Sequence, residues 1–156
     1  MSVCPNEAIE IRHLTHNQLR SQVEGILSIE KESIIAFTAE TCGYNAADIA
    51  GVSRLKYPTN IKIVKVPCVS RVSVNDILYA FENGAKGVML VACPEGLCHY
   101  INGTEAAEKI IKKARKILDE KGIGGEKLIF VPIVSPDGPK FQKICTELVK
   151  EIWRDS

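Results

Sequence analysis

Three of the six cysteines stand just past the ends of apolar runs, and a fourth follows across a short turn. Ile34-Ile-Ala-Phe-Thr-Ala-Glu-Thr leads to Cys42, Ile61-Lys-Ile-Val-Lys-Val-Pro leads to Cys68, and Val88-Met-Leu-Val-Ala leads to Cys93. Cys98 and His99 follow Cys93 across a turn containing Pro94 and Gly96. Thiolates are soft ligands, and four at one point can hold a zinc ion or an iron–sulfur cluster. Structural zinc sites are usually built from Cys-x2-4-Cys knuckles. Here one close pair, Cys93 and Cys98, is at the edge of that range, and Cys42 and Cys68 are single residues on separate segments. Plant-type [2Fe-2S] proteins combine a pair of this spacing with single distant cysteines, and a two-iron cluster suits ligands spread over several strand ends. The spacing leans toward the cluster and leaves zinc open. A third chemistry would make Cys98 a nucleophile activated by His99. Adjacent side chains seldom point at one another, and no acidic partner for His99 stands out. His99 therefore reads as a polar neighbour of the metal or a satisfied structural residue.

The elements that must position these thiols are legible as strands alternating with helices. The strands are expected over Ile34 to Thr38, Ile61 to Val66, Gly87 to Ala92 and Leu128 to Val134. The helix after Cys42 has Asn45 as its expected N-cap and packs through Ala46, Ile49, Ala50 and Leu55. Ser73 caps the next helix and Gly84 stops it. Thr104 is expected to cap a long helix to Lys121, with Ala107, Ile110, Ile111, Ala114, Ile117 and Leu118 on its apolar side. Its lysines, Lys109, Lys112, Lys113 and Lys116, read as a solvated face. Ser135 to Pro139 forms a rigid loop, and the last helix runs from Lys140 to Trp153. This alternation predicts an α/β fold, Rossmann/flavodoxin-like, with a four-stranded parallel sheet in a three-layer αβα arrangement and strand order 2-1-3-4. The strand-end cysteines then converge on one edge, where open parallel sheets place their ligand sites. No Gly-x-Gly-x-x-Gly and no Gly-Lys-Ser/Thr loop is present, which argues against a dinucleotide or ATP site.

Residues 1–32 differ in character from residues 33–156, and they are read as an N-terminal segment preceding the main domain. Cys4-Pro-Asn-Glu-Ala-Ile resembles the closing cysteine segment of a bacterial-type ferredoxin, without the three cysteines that would precede it. A short strand-like piece, Ile9-Glu-Ile-Arg, follows. Thr15 and Gln18 form a capping box for a helix whose apolar face is Leu19, Val23, Ile26 and Leu27. That face must dock on this domain or on a partner. Cys145 falls on or near the apolar stripe of the last helix, beside Ile144, Leu148 and Ile152, and reads as core.

The chain has 156 residues, enough for one domain with a proper core. Its 20 basic and 19 acidic residues leave a formal charge of +1, with no basic block to suggest nucleic acid. No apolar run approaches the roughly 18 residues of a membrane span, and no secretion signal follows Met1, so a cytoplasmic protein is expected. In that reducing setting, metal binding or redox chemistry is the leading use of the cysteines.

Several of these motifs, taken together, resemble a known family. They are Cys42-Gly-Tyr-Asn-Ala-Ala-Asp-Ile-Ala-Gly-Val-Ser-Arg, Tyr57-Pro-Thr-Asn, Val66-Pro-Cys-Val-Ser-Arg-Val and Ala92-Cys-Pro-Glu-Gly-Leu-Cys-His-Tyr. Their order and spacing, from about Ile34 to Phe141, resemble the delta subunit of methyl-viologen-reducing hydrogenase. The resemblance implies an electron-transfer protein with a [2Fe-2S] cluster. Such a protein passes electrons between a hydrogenase or formate dehydrogenase and heterodisulfide reductase, in methanogens and related anaerobes. It places the cluster ligands on Cys42, Cys68, Cys93 and Cys98. The family usually has a Cys-x-x-Cys at the first site, and Ala39 stands here at the first of those positions. Cys4-Pro-Asn-Glu-Ala-Ile, followed by His13-Leu-Thr-His-Asn-Gln-Leu, resembles the end of the flavoprotein (A) component of heterodisulfide reductase. That likeness implies a relation to fusions of that component with a delta domain.

Overall fold

The computed structural model describes residues 9–154; the Cys4 segment lies outside them. Four parallel strands form one sheet: β1 (Ile34–Ala39), β2 (Ile61–Val66), β3 (Gly87–Ala92) and β4 (Leu128–Pro132), in the order β2-β1-β3-β4. This is the strand order expected from the sequence. The central strands β1 and β3 are buried at every position, as uninterrupted apolar runs require when both faces of a sheet are covered. The edge strands β2 and β4 are buried only in part, which matches the lysines of Ile61-Lys-Ile-Val-Lys-Val.

Helices cover both faces. The helices are α1 (His16–Ile29), α2 (Asn45–Val52), α3 (Val74–Glu82), α4 (Gly103–Glu120) and α5 (Gly138–Arg154). One core gathers Leu19, Val23 and Leu27 of α1 with Ile77 and Phe81 of α3, Ile111 and Leu118 of α4, and the β1 side chains Ile35 and Phe37. The opposite core joins Ala46 and Ala50 of α2 with Phe141, Cys145 and Leu148 of α5 against Ile34, Met89 and Val91. The apolar face of α1 is thus spent inside the chain and is not a surface left for a partner.

Thr15 and Gln18 close the capping box at the start of α1. Two residues of α1 then reach a buried carboxylate. His16 Nδ1 is 2.7 Å from Asp76 Oδ2, and Arg20 Nε donates to Asp76 Oδ1 at 2.9 Å. The same carboxylate accepts from the Ser73 N–H and hydroxyl at the start of α3. Arg71 donates from Nη2 to the Leu14 carbonyl at 2.7 Å, and its Nη1 is 2.9 Å from His16 Nε2. A buried carboxylate needs such compensation, and here it ties α1 to the turn that follows Cys68.

Some local expectations give way. Ile9 to Arg12 do not form a strand; Ile11 makes an isolated bridge to Leu14 across a tight turn with His13 at φ 66°. Asn45 does not cap α2. A π-helical turn, Glu40–Tyr44, runs directly into that helix, and the Asn45 amide donates back to the Thr41 carbonyl. Strand β4 ends at Pro132, and α5 begins at Gly138, so Pro139 belongs to the helix.

A thiol site at the carboxyl edge of the sheet

Each thiol is delivered by a turn or loop that follows a strand end. Cys42 lies in the π-helical turn after β1, Cys68 directly precedes a short helical turn (Val69–Arg71) after β2, and Cys93 follows β3. Cys98 sits in the loop between β3 and α4. The crevice between β1 and β3 is where the strand order changes direction, the usual position of ligand sites in such sheets. π-Helical turns are rare and cluster at functional sites. This one swings Cys42 back over the end of β3. Gly43 makes that possible, because a Cβ there would lie 2.7 Å from the Val91 carbonyl oxygen.

The four thiols converge as two pairs. Cys42 and Cys93 interact through their sulfurs, and so do Cys68 and Cys98. The pairs adjoin, since Cys98 also acts electrostatically on Cys42. The N-terminus of α4 closes over the second pair. A Cβ on Gly103 would sit 2.6 Å from Cys68 Sγ and 2.7 Å from Cys98 Sγ, so only glycine fits. Next to it, the Thr104 hydroxyl donates to the Cys93 carbonyl at 3.0 Å and pins the helix to the strand end. Thr104 is the cap expected from the sequence; it lies one residue inside the helix, and its hydroxyl serves the tertiary contact instead.

Donors point at several of the sulfurs. Ser70 donates its hydroxyl to Cys68 Sγ at 3.3 Å and its N–H to the same atom. The N–H groups of Tyr100, Thr104 and Gly103 point at Cys98. On the other pair, the Thr41 hydroxyl is 3.7 Å from Cys93 Sγ and 4.0 Å from Cys42 Sγ. The thiols respond accordingly. Burial, with Cys93 alongside, pushes Cys42 up to about 11. Burial also raises Cys68, against the pull of Ser70. Burial acts the same way on Cys98, but there the backbone N–H groups outweigh it and hold the thiol below its ordinary value.

His99 is brought in as well. One of its ring nitrogens and the sulfurs of Cys42 and Cys93 all lie within 4.8 Å of one another, a trio able to hold a metal ion. Sequence reasoning makes His99 a neighbour of Cys98 and does not place it beside Cys42. It also misses Ser70, Thr41 and Gly103. Ser70, two residues after Cys68, carries a local signal; Gly103 carries none. Cys145 is fully buried in the α2/α5 core, far from this role, as its helical position predicts.

Comparison with known proteins places this architecture. The family model for the delta subunit of methyl-viologen-reducing hydrogenase matches residues 34–154. The chain belongs to this family. Among its relatives, the iron-sulfur D component of the vhu F420-non-reducing hydrogenase of Methanocaldococcus jannaschii is 37% identical over 119 residues, 76% of this chain and 89% of that protein. The counterpart in Methanococcus maripaludis is 39% identical over 119 residues, with 76% and 86% covered. The A component of ferredoxin:CoB-CoM heterodisulfide reductase from Methanosarcina mazei is 33% identical over 147 residues, 93% of this chain. That alignment is longer than residues 34–156 alone can supply, so the likeness to the reductase component reaches into the N-terminal segment. The chain spans only 18% of the length of that component. Among the described residues, no helix of this delta-family chain is long and apolar enough to cross a membrane.

Proposed function

We propose that this chain is an electron-transfer protein holding a [2Fe-2S] cluster on Cys42, Cys68, Cys93 and Cys98. The observation that carries the reading is the pairing of the thiols. A single tetrahedral ion needs all its ligand sulfurs in one sphere, with Zn–S of about 2.3 Å. Two adjoining pairs, with donors aimed at sulfur and a glycine where any side chain would intrude, fit a centre with two metal atoms. Iron–sulfur centres take up and release single electrons, at potentials set by hydrogen bonds to sulfur and by exposure. Ser70, Gly103 and the α4 N-terminus supply those hydrogen bonds. The sheet edge fixes the sulfurs, and Cys98, the one incompletely buried thiol of the four, brings the site near the surface.

The relatives named as hydrogenase iron-sulfur proteins and as the A component of heterodisulfide reductase support a place between such proteins. The partners we assign are that A component of heterodisulfide reductase and a hydrogenase or formate dehydrogenase, in anaerobic energy metabolism and methanogenesis. The chain works there as a relay.

A second reading rests on the Cys42, Cys93 and His99 trio, which suits one zinc ion. The chain would then be a docking module of the same complex. Anaerobic purification with iron, sulfide and zinc analysis separates the two, together with an EPR spectrum of the dithionite-reduced protein. About two irons and two sulfides per chain and a reduced-state signal are expected for a cluster. One zinc and no iron would overturn the relay.

A further inference from the structure

The two thiol pairs are not equivalent, and the difference bears on where charge goes. We propose that the Cys68/Cys98 side of the site, and not the Cys42/Cys93 side, is where an added electron resides. The inference rests on the cluster reading above.

Reduction by one electron makes or breaks no bond and adds one negative charge, shared between an iron and its thiolates. That charge settles where donors and positive dipoles already point. Cys68 receives the Ser70 hydroxyl at 3.3 Å and the Ser70 N–H. Cys98 receives three backbone N–H groups, from Tyr100, Thr104 and Gly103. Two of these belong to the first turn of α4, an 18-residue helix whose positive end faces both sulfurs. On the other side the Thr41 hydroxyl is shared, at 3.7 and 4.0 Å, between two sulfurs. The Thr104 hydroxyl adds nothing there, because its proton is committed to the Cys93 carbonyl. Exposure points the same way. Cys42, Cys68 and Cys93 are buried, and Cys98, of the second pair, is partly open to solvent; water stabilises added charge. His99 acts in the other direction, since its ring lies by Cys42 and Cys93. It is exposed, so solvent screens it.

Proton NMR of the dithionite-reduced, iron-loaded full chain tests this as a function of temperature. In a valence-localised pair, the cysteine β-protons on the ferrous side shift oppositely with temperature to those on the ferric side. Contacts to the Ser70 β-protons identify Cys68, and contacts to the Thr41 methyl identify Cys42 and Cys93. The ferrous pattern on Cys68 and Cys98 is the expected result. The ferrous pattern on Cys42 and Cys93, or one pattern on all four, overturns the proposal while leaving the cluster in place. A chain that binds no iron overturns the cluster reading itself, and the proposal with it. As a second measurement, Ser70→Ala is expected to lower the midpoint potential and Thr41→Ala to lower it by less, each potential being read on the iron-loaded fraction of the variant. The reverse order counts against the proposal.

Discussion

Cys98 and Cys145 are the same side chain in two regions built for opposite ends. Around Cys98, the chain turns backbone N–H groups inward, and the thiol is held below its ordinary value despite partial burial. Cys145 lies in the apolar α2/α5 core with Phe141, Leu148 and Ala50, the Tyr57 phenol near enough to interact, and burial pushes the thiol up to about 12. Thiolates bind metals and neutral thiols do not. A cysteine is therefore made a ligand by what points at its sulfur, and burial by itself makes it a small apolar residue. Cys42 stands between the two cases. It is as buried as a core residue, yet a second thiol adjoins it and a hydroxyl lies close by.

The largest effect expected from this contrast is on metal content. Cys93→Ser should lose nearly all iron and sulfide, because the replaced sulfur belongs to the pair at the crevice between β1 and β3. Cys145→Ser should keep wild-type iron at a stability cost of about 1–3 kcal/mol for a buried hydroxyl. Metal analysis of the two variants side by side checks this. A Cys145→Ser chain that loses its iron while remaining folded would break the distinction.

Alkaline stability of the metal-free protein comes next. Cys145 and Cys42 have folded-state values raised above the ordinary thiol value of 9.0, to about 12 and about 11. The unfolded chain gives up these protons first as the pH rises. Their contribution to stability is therefore complete below pH 9 and is lost between about 9 and 12. At 1.36 kcal/mol per unit, Cys145 alone accounts for at most about 4 kcal/mol. Cys98, with a lowered value, has the opposite sign and adds stability above its unfolded value. Denaturant titrations across this range should show stability falling with pH, and Cys145→Ala should flatten the fall. An unchanged slope in that variant would mean that Cys145 does not hold its proton in the fold.

The sequence carries the frame of the fold well and the inner surface of the site poorly. Strands β1 to β3 are legible because continuous apolar runs bounded by turn residues have few other uses. Their ends locate Cys42, Cys68 and Cys93, since topology alone brings the ends of parallel strands to one edge. The groups that touch sulfur are not legible. Gly103 looks like any residue before a helix; its role depends on α4 approaching Cys68, thirty-five positions earlier in the chain. Thr104 carries a cap signal and spends its hydroxyl on Cys93. Asn45 likewise looks like a cap, because nothing local announces a π-helical turn. Tertiary packing decides all three, and propensity is a weak prior against it.

Gly103 offers the smaller but sharper test of how the edge is built. In Gly103→Ala, the new Cβ would fall 2.6 and 2.7 Å from two sulfurs that are themselves fixed by strand ends. Either α4 retreats, taking its N–H groups away from Cys98, or the sulfurs separate. Overpacking of this kind costs about 1–3 kcal/mol, and iron content should fall with it. Gly25→Ala is the matched control. It lies well inside α1 with open space where its Cβ would go, so the helix should gain about 0.5–1 kcal/mol with iron unchanged. Thermal melts and iron analysis of both variants decide the matter. If Gly103→Ala is as harmless as Gly25→Ala, the α4 N-terminus does not close on the thiols, and the donors assigned to Cys98 are lost with it.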